Sequence, residues 1–478
     1  VKEVVIMTLT LEKNMIVPQV PTRKGVGKYI NMLKLAHDPF KYMYQLRHEY
    51  GDMVKMPGSP MTVTFVFSPE YTRTVLTDTT TYHNGEADKL PFKVPKDSAF
   101  SRLAKTMNTI NGEKHRQQRK LIMPAFHRKR VETYRDDMVA LIEGKLKEWQ
   151  SVKTLDFLKE MKQLTMAVAV KTLLGLDPVK EGDRTRNLVE RWIFAGSSPL
   201  GLLLPFNIPG LPFYNSLKLA GEVEAEFKNI IARKRRENND DNSALAMMQQ
   251  AHDEDGTRLT DEELVSQTLA LFVAGHETTA TALTWTLFLL SQHPEVYREL
   301  VQELESKLGG SAPTVEQVNQ LPYLEKVINE SMRILSPFLW GFRLTTEATE
   351  IGEYQIPKNE IVAFAPALVH HDSRIYNEPK RFIPSRWDSI NPTPYEYLPF
   401  SSGSRMCIGA TFALMEMKLV LAMILQKYRF ALVPESKIER TGFILGYPKY
   451  GLPLEVYKQD YYFVKNSARG NFSDVVTI

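Results

Sequence analysis

Phe400-Ser401-Ser402-Gly403-Ser404-Arg405-Met406-Cys407-Ile408-Gly409 is the stretch on which the reading of this chain turns. Cys407 is the only cysteine, and a lone cysteine is more often a small buried hydrophobe than a ligand. Its surroundings argue otherwise. Phe412, Leu414, Met415, Leu419, Val420 and Met423 follow at helical spacing, which puts the sulfur at or just before a helix N-terminus. There the helix dipole and unpaired backbone N–H groups stabilise a thiolate and lower its pKa, as metal ligation requires. Gly403 and Gly409 let the backbone approach a flat ligand without a Cβ clash. Arg405, two residues before the sulfur, can turn away from it and offer a fixed positive charge to a carboxylate. A sulfur ligand with a carboxylate-binding arginine beside it points to haem.

Working outward, one cysteine leaves no intramolecular disulfide framework and no cluster for zinc or iron–sulfur chemistry. A reducing cytoplasm fits this usage best. The 478 residues, 43% of them hydrophobic, are enough for a large core, and length alone allows roughly three ordinary domains. Sixty basic residues stand against 56 acidic ones, a net charge of +4, so nucleic acid is not an expected partner. The apolar residues 4–11 stop at Glu12 and Lys13, far short of the about 20 needed for a membrane span. Neither a span nor a signal peptide is expected. There is no internal repeat or low-complexity tract.

Helical periodicity dominates, broken by short Pro, Gly and Asn-rich stretches. Residues 53–56 and 62–67 flank Gly58-Ser59-Pro60 and read as a hairpin. Further strands are expected over 349–355 and 361–364, with a C-terminal pair around Phe443 and Leu454. Pieces from both ends of the chain should meet in a small sheet beside a large helical body. One helix is marked at both ends. Thr260 and Glu263 form a capping box, Asp261 and Glu262 add negative charge to the first turn, and the pattern runs to about Gln292 before His293-Pro294. It spans roughly 48 Å at 1.5 Å per residue. Residues 269–274 are apolar on every side, so this helix crosses an interior.

Two stretches carry competing readings. Arg233-Lys234-Arg235-Arg236, followed at once by Glu237 and by Asp240-Asp241, reads as a solvated helix end and loop in preference to a basic docking site. Residues 198–214 hold eight large apolar side chains, four prolines and no charge. Buried packing and contact with an apolar ligand or membrane surface stand level there.

Within the marked helix, Ala274-Gly275-His276-Glu277-Thr278-Thr279 gathers chemistry. Gly275 leaves space beside the helix for a diatomic ligand, while Thr278 and Glu277 can orient water and relay protons. Thr278 could equally bond back to the preceding turn. His276-Glu277 invites a zinc-protease reading, but that motif needs a second histidine where this chain has Ala280. Glu330 and Arg333, at i and i+3, can meet on one helical face.

The decisive stretch resembles, position for position, the FxxGxRxCxG haem-binding signature of cytochrome P-450 enzymes, soluble and bacterial in type. Ala274 to Thr279 looks like the same family's [AG]GxxTT oxygen-activation segment, in which His276 is not a ligand. The resemblance runs from the hairpin to Gly451-Leu452-Pro453 and implies a single domain over 1–478. Residues 1–20 form an extension and 458–478 a tail of unknown role. The implied fold is mainly α with a small β region, with haem b between the long central helix and the Cys407 loop. Cys407 is implied as the proximal thiolate, whose electron donation favours O–O cleavage. His115 and Arg119 resemble the (W/H)xxxR segment that contacts the propionates, in preference to an exposed basic turn with Lys114, Arg116 and Lys120. Arg343 and Arg405 are further propionate partners, and Phe400, Gly403 and Gly409 complete the cofactor site. Glu330, Arg333 and Arg386 form the implied structural triad, although Ser385 and Trp387 depart from the commoner residues.

The implied reaction inserts one atom of O2 into a small apolar substrate such as a fatty acid, terpenoid or secondary metabolite, with Thr278 and Glu277 managing protons and Ala274 and Gly275 shaping the oxygen site. Phe338, Leu339, residues 443–445 and residues 90–103 should border the substrate. Only about seventy residues follow Cys407, so electrons are expected from a separate ferredoxin, flavodoxin or reductase. Lys114, Arg116, Lys120 and Arg128 could help to dock it, though each reads more readily as solvated charge. A monomer is expected. The competing functions are a haem-thiolate isomerase, dehydratase or peroxide user, against which Glu277-Thr278 argues, and a haem sensor without turnover.

Overall fold

The computed structural model describes residues 16–19, 27–58, 62–85, 94–196, 206–237 and 241–478. Residues 4–11, Ser59 and Pro60 of the hairpin turn, 90–93, 198–205 and 238–240 lie outside them.

The helices that frame the site are α1 (Gly112–Ile122), α2 (Phe157–Thr172), α3 (Pro212–Glu237), α4 (Asp261–Gln292), α5 (Pro322–Ile334) and α6 (Ala410–Lys427). The marked helix has the bounds its sequence sets. Thr260 Oγ1 accepts from the Glu263 N–H at 3.3 Å and Glu263 Oε2 accepts from the Thr260 N–H at 3.0 Å, which satisfies two otherwise orphaned donors. At the other end His293 caps α4 and Pro294 opens the next helix, Pro294–Leu308, where its missing N–H costs nothing. Every residue from Thr279 to Gln292 is buried, because α2, α5, α6 and Pro294–Leu308 all pack around this helix.

The strands are β1 (Met53–Met56), β2 (Val63–Val66), β3 (Tyr82–His83), β4 (Thr154–Asp156), β5 (Gly341–Thr345), β6 (Thr349–Ile351), β7 (Tyr354–Ile356), β8 (Ile361–Phe364), β9 (Tyr428–Leu432) and β10 (Pro453–Lys458), with several two-residue pairs. A five-stranded sheet runs β1-β2-β8-β5-β3, so the hairpin does meet a distant part of the chain. Three expectations need correction. Residues 349–355 are not one strand but the hairpin β6–β7, turning at Gly352. Leu454 lies in β10, which pairs with β4 and β9, while Phe443 sits between the short strands Arg440–Thr441 and Tyr447–Pro448. The stretch Arg233–Arg236 is mostly paired within the fold. Arg233 meets Glu181 and Arg235 meets Asp261, at 2.5 and 2.6 Å, and Lys234 is tucked against Asp241 and the Gly175 carbonyl.

In the described part of the apolar stretch, Phe206 and Ile208 are exposed and Phe213 is buried, so neither reading of it holds throughout. The tail is built into the core. Phe472 packs edge-on against Phe288 of α4 with ring centres 5.1 Å apart, and Phe463 lies 4.5 Å from Tyr297. The Thr477 N–H donates to the Lys380 carbonyl at 2.8 Å.

Candidate active site

The Cys407 loop is a tight backbone device. Residues Gly403–Arg405 make one 3-10 turn, the Cys407 N–H donates to the Phe400 carbonyl at 2.8 Å, and α6 starts three residues after the sulfur. Gly403 has φ +71°, and a Cβ there would stand 2.8 Å from the Leu76 carbonyl oxygen. It thus approaches protein backbone at the end of the helix Pro69–Thr77. Gly409 is open on the sulfur side, where a Cβ would meet Cys407 Sγ only at 4.0 Å.

The sulfur is accessible yet ringed by protein on most sides, and this partial enclosure pushes its thiol pKa up. The Gly409 N–H and the Arg119 charge oppose that rise without reversing it. The expected lowering by the helix end is thus outweighed by desolvation in the protein without its cofactor.

Around this loop three arginines and a histidine converge. His115 on α1 and Arg343 on β5 are buried. Arg405 donates to the Met107 and Ile110 carbonyls, both at 2.8 Å, and to Asn111 Oδ1 at 2.9 Å. Arg119 donates to the Met406 carbonyl at 2.8 Å. Their charges oppose one another. Burial, then Arg405, Arg119 and Arg343, bring His115 down to about 4. Burial and Arg405 bring Arg343 down to about 10, and burial with Arg119 does the same to Arg405. Among the described residues none of the four makes an ion pair with a carboxylate. Lys114, Arg116 and Lys120, by contrast, pair with Glu263, Glu113 and Glu254. Helix α1 therefore carries basic side chains on two faces, one paired with carboxylates at the surface and one, His115 and Arg119, without carboxylate partners among the described residues.

On α4, Ala274 is exposed in a helix that is buried over its next turns. A Cβ on Gly275 would press on Leu173 Cδ1 at 3.3 Å. Thr278 Oγ1 donates back to the Ala274 carbonyl at 2.8 Å, so its proton is committed while its lone pairs remain. Glu277 lies 3.6 Å from Lys162 of α2, with both side chains about one-third exposed. His276 is a buried packing residue with Nδ1 on the Phe272 carbonyl at 2.9 Å. Two glutamines unmarked in the sequence tie these parts together. Gln267 Oε1 accepts from the Met107 N–H at 3.0 Å, and its amide donates to Gln118 of α1 at 2.6 Å.

Behind the loop, Glu330 and Arg333 are fully buried and joined by two 2.9 Å bonds, and Arg386 Nε reaches Glu330 Oε1 at 2.8 Å. Trp387, the departure from the usual motif, donates to Glu330 Oε2 at 3.1 Å and so strengthens the arrangement.

The cytochrome P450 family model matches residues 18–452. This chain belongs to the cytochrome P450 family. It is 30% identical over 419 residues to cyclooctat-9-en-7-ol 5-monooxygenase of Streptomyces melanosporofaciens, covering 85% of this chain and 88% of that one. It is 29% identical over 418 residues to pentalenene oxygenase of Streptomyces avermitilis, covering 85% and 90%. The solved structure of retinoic acid-bound cyanobacterial CYP120A1 superposes with a TM-score of 0.79 at 25% identity, over 93% of this chain and 99% of that one. The P450 fold, monooxygenase class and haem b cofactor follow. Among the described residues no helix is long and apolar enough to cross a membrane. The site fits the cofactor, since one accessible thiol sits beside three arginines and a buried histidine that lack carboxylate partners among the described residues.

This fit predicts a titration. His115 is held neutral in the protein alone, so unfolding between about pH 4 and 6.5 takes up a proton. Its contribution to apoprotein stability is complete above about pH 6.5 and lost as pH falls through about 4. Two carboxylates placed in the cluster favour the imidazolium, so the His115 pKa measured by NMR should rise from about 4 in apoprotein on loading with haem. An unchanged value would remove the propionates from this cluster.

Proposed function

We propose that this cytochrome P450 oxidises an apolar isoprenoid, with electrons from a separate ferredoxin, flavodoxin or reductase. The observation that carries the reading is the pairing of a single accessible sulfur with three arginines and a neutral, buried histidine that have no carboxylate partner among the described residues. Cys407 would hold the iron, and His115, Arg119, Arg343 and Arg405 the propionates, with Phe400, Gly403 and Gly409 framing the loop. Bound haem supplies activation of O2, one atom of which enters the substrate while the other leaves as water.

The chain's own residues handle position and protons. Glu277 reaches water on one side and adjoins Thr278 on the other, so it can pass protons inward, with Lys162 holding its carboxylate while it waits. Thr278 Oγ1, its proton on the Ala274 carbonyl, offers lone pairs that orient a water or an incoming donor. Ala274 and Gly275 set the contour of the helix at this point. Apolar residues predominate among those that would border the substrate, although Lys96, Asp97 and Arg102 fall within residues 90–103. Phe338 forms a backbone bridge with Leu445, the Leu339 N–H donates to the Ile444 carbonyl at 2.8 Å, and Phe100 packs edge-on against Trp192. Such walls favour apolar ligands and exclude water. The terpenoid-oxidising relatives support the isoprenoid class. Lys114, Arg116, Lys120 and Arg128 each have a local glutamate, which leaves them little charge to offer an electron donor.

Incubation of the holoprotein with NADPH, a surrogate ferredoxin and its reductase, isotopically labelled O2 and a panel of cyclic terpenes tests this. The expected product carries one labelled oxygen. Turnover with peroxide alone and none with the redox proteins would overturn the proposal.

A further inference from the structure

Leu398 opens the segment that leads to the sulfur, and its N–H donates to His370 Nε2 at 2.8 Å in a fully buried bond. The carbonyl of the same histidine accepts from Arg333 Nη1 at 2.7 Å. One buried residue is thus gripped on its backbone by the triad and holds the cysteine segment with its ring. Tyr397 lies against that ring at 5.5 Å and donates its hydroxyl to the Asn329 carbonyl on α5 at 3.0 Å, which fixes the imidazole plane.

Because Nε2 faces a donor it must carry the lone pair, which puts the ring proton on Nδ1. Burial, Arg333 and His371 keep the ring neutral by holding its pKa well below the ordinary value, so the acceptor persists at any working pH. Nδ1 is buried without a hydrogen-bond partner among the described residues. An unpaired buried donor is costly, and the ring orientation that incurs this cost is the one that satisfies Leu398. From there the order propagates. The Leu398 carbonyl accepts from the Ser401 N–H at 3.1 Å, and the Phe400 carbonyl from the Cys407 N–H at 2.8 Å.

We propose that His370 is a positioning residue of the thiolate site, its Nε2 fixing Leu398 and through it the loop that presents the Cys407 sulfur. This rests on Cys407 as the haem ligand.

Two measurements on the holoprotein test it, namely the Soret band of the dithionite-reduced carbon monoxide complex and hydrogen exchange at the Leu398 amide. H370F keeps a ring against Tyr397 but offers no acceptor, whereas H370Q returns an acceptor near the Nε2 position. In H370F the Leu398 amide should exchange about tenfold faster, and about half or more of the red-shifted band should move to the position of a neutral-thiol complex. H370Q should restore most of both. Wild-type exchange and band in H370F overturn the proposal, and so does an H370Q as defective as H370F, since ring shape would then matter and the acceptor would not. If H370F fails to accumulate as folded protein, a defective H370Q or an unprotected Leu398 amide in the wild type overturns it. A wild-type holoprotein lacking the red-shifted band refutes the Cys407 reading instead.

Discussion

Cys407→Ala should bind haem and fail to give the strongly red-shifted carbonyl band that the wild type shows. The two halves of that outcome come from different residues. His115, Arg119, Arg343 and Arg405 are untouched by the substitution, and the three arginines, without carboxylate partners among the described residues, keep their demand for propionates. Haem content should therefore survive. The sulfur is the one group that can donate electron density through the iron, and no second cysteine can replace it. Monooxygenase turnover should fall about a thousandfold or more, equivalent to about 4 kcal/mol of barrier. Alanine has no donor atom, so the substitution leaves no ligand at this position to support partial activity. Pigment content, the reduced carbonyl spectrum and product formation measured on the same preparation check this. A variant retaining the red-shifted band would end the assignment of Cys407.

The residues that sequence could read are those whose signals are local. The capping box at Thr260 and the Pro294 stop give α4 to the residue because both act within one turn of the chain. The haem loop was legible for the same reason, since its cysteine, arginine and glycines fall within ten residues. What was misread depends on partners far away. Gly275 and Gly403 each make room for protein, Leu173 in one case and the Leu76 carbonyl in the other, which no local pattern announces. Strand β5 escaped notice because its buried face is Gly341, Arg343 and Thr345, an inversion of the apolar-inside alternation that marks a strand. The rise in the Cys407 thiol pKa in the protein without its cofactor is not legible, because a helix end is visible in sequence and desolvation is not. Trp387 looked like a weakness in the triad, and only the fold shows its indole N–H on Glu330.

Glu330→Gln should be among the most destabilising single substitutions in this protein. The carboxylate accepts five hydrogen bonds, from Arg333 twice, from Arg386, from the Trp387 indole and from the Ile383 N–H. Both of its oxygens face donors, so an amide must turn its NH2 group towards another N–H whichever way it is placed. Two guanidiniums, of which Arg333 is wholly buried, lose their counter-charge at the same time. Breaking a buried pair by removing one partner costs about 3–5 kcal/mol. Trp387→Phe removes a single donor and leaves Glu330 with its other partners, so its cost should be about 1 kcal/mol. The two variants make the comparison internal, because both alter the same carboxylate's surroundings and only one removes the charge. Urea unfolding midpoints of the wild type, Trp387→Phe and Glu330→Gln should fall in that order, with Glu330→Gln losing the red-shifted carbonyl band before secondary structure is lost. If Glu330→Gln were no less stable than Trp387→Phe, the charge at Glu330 would be dispensable. The bridge from α5 through Arg333 and the His370 carbonyl to the cysteine loop would then rest on backbone contacts alone.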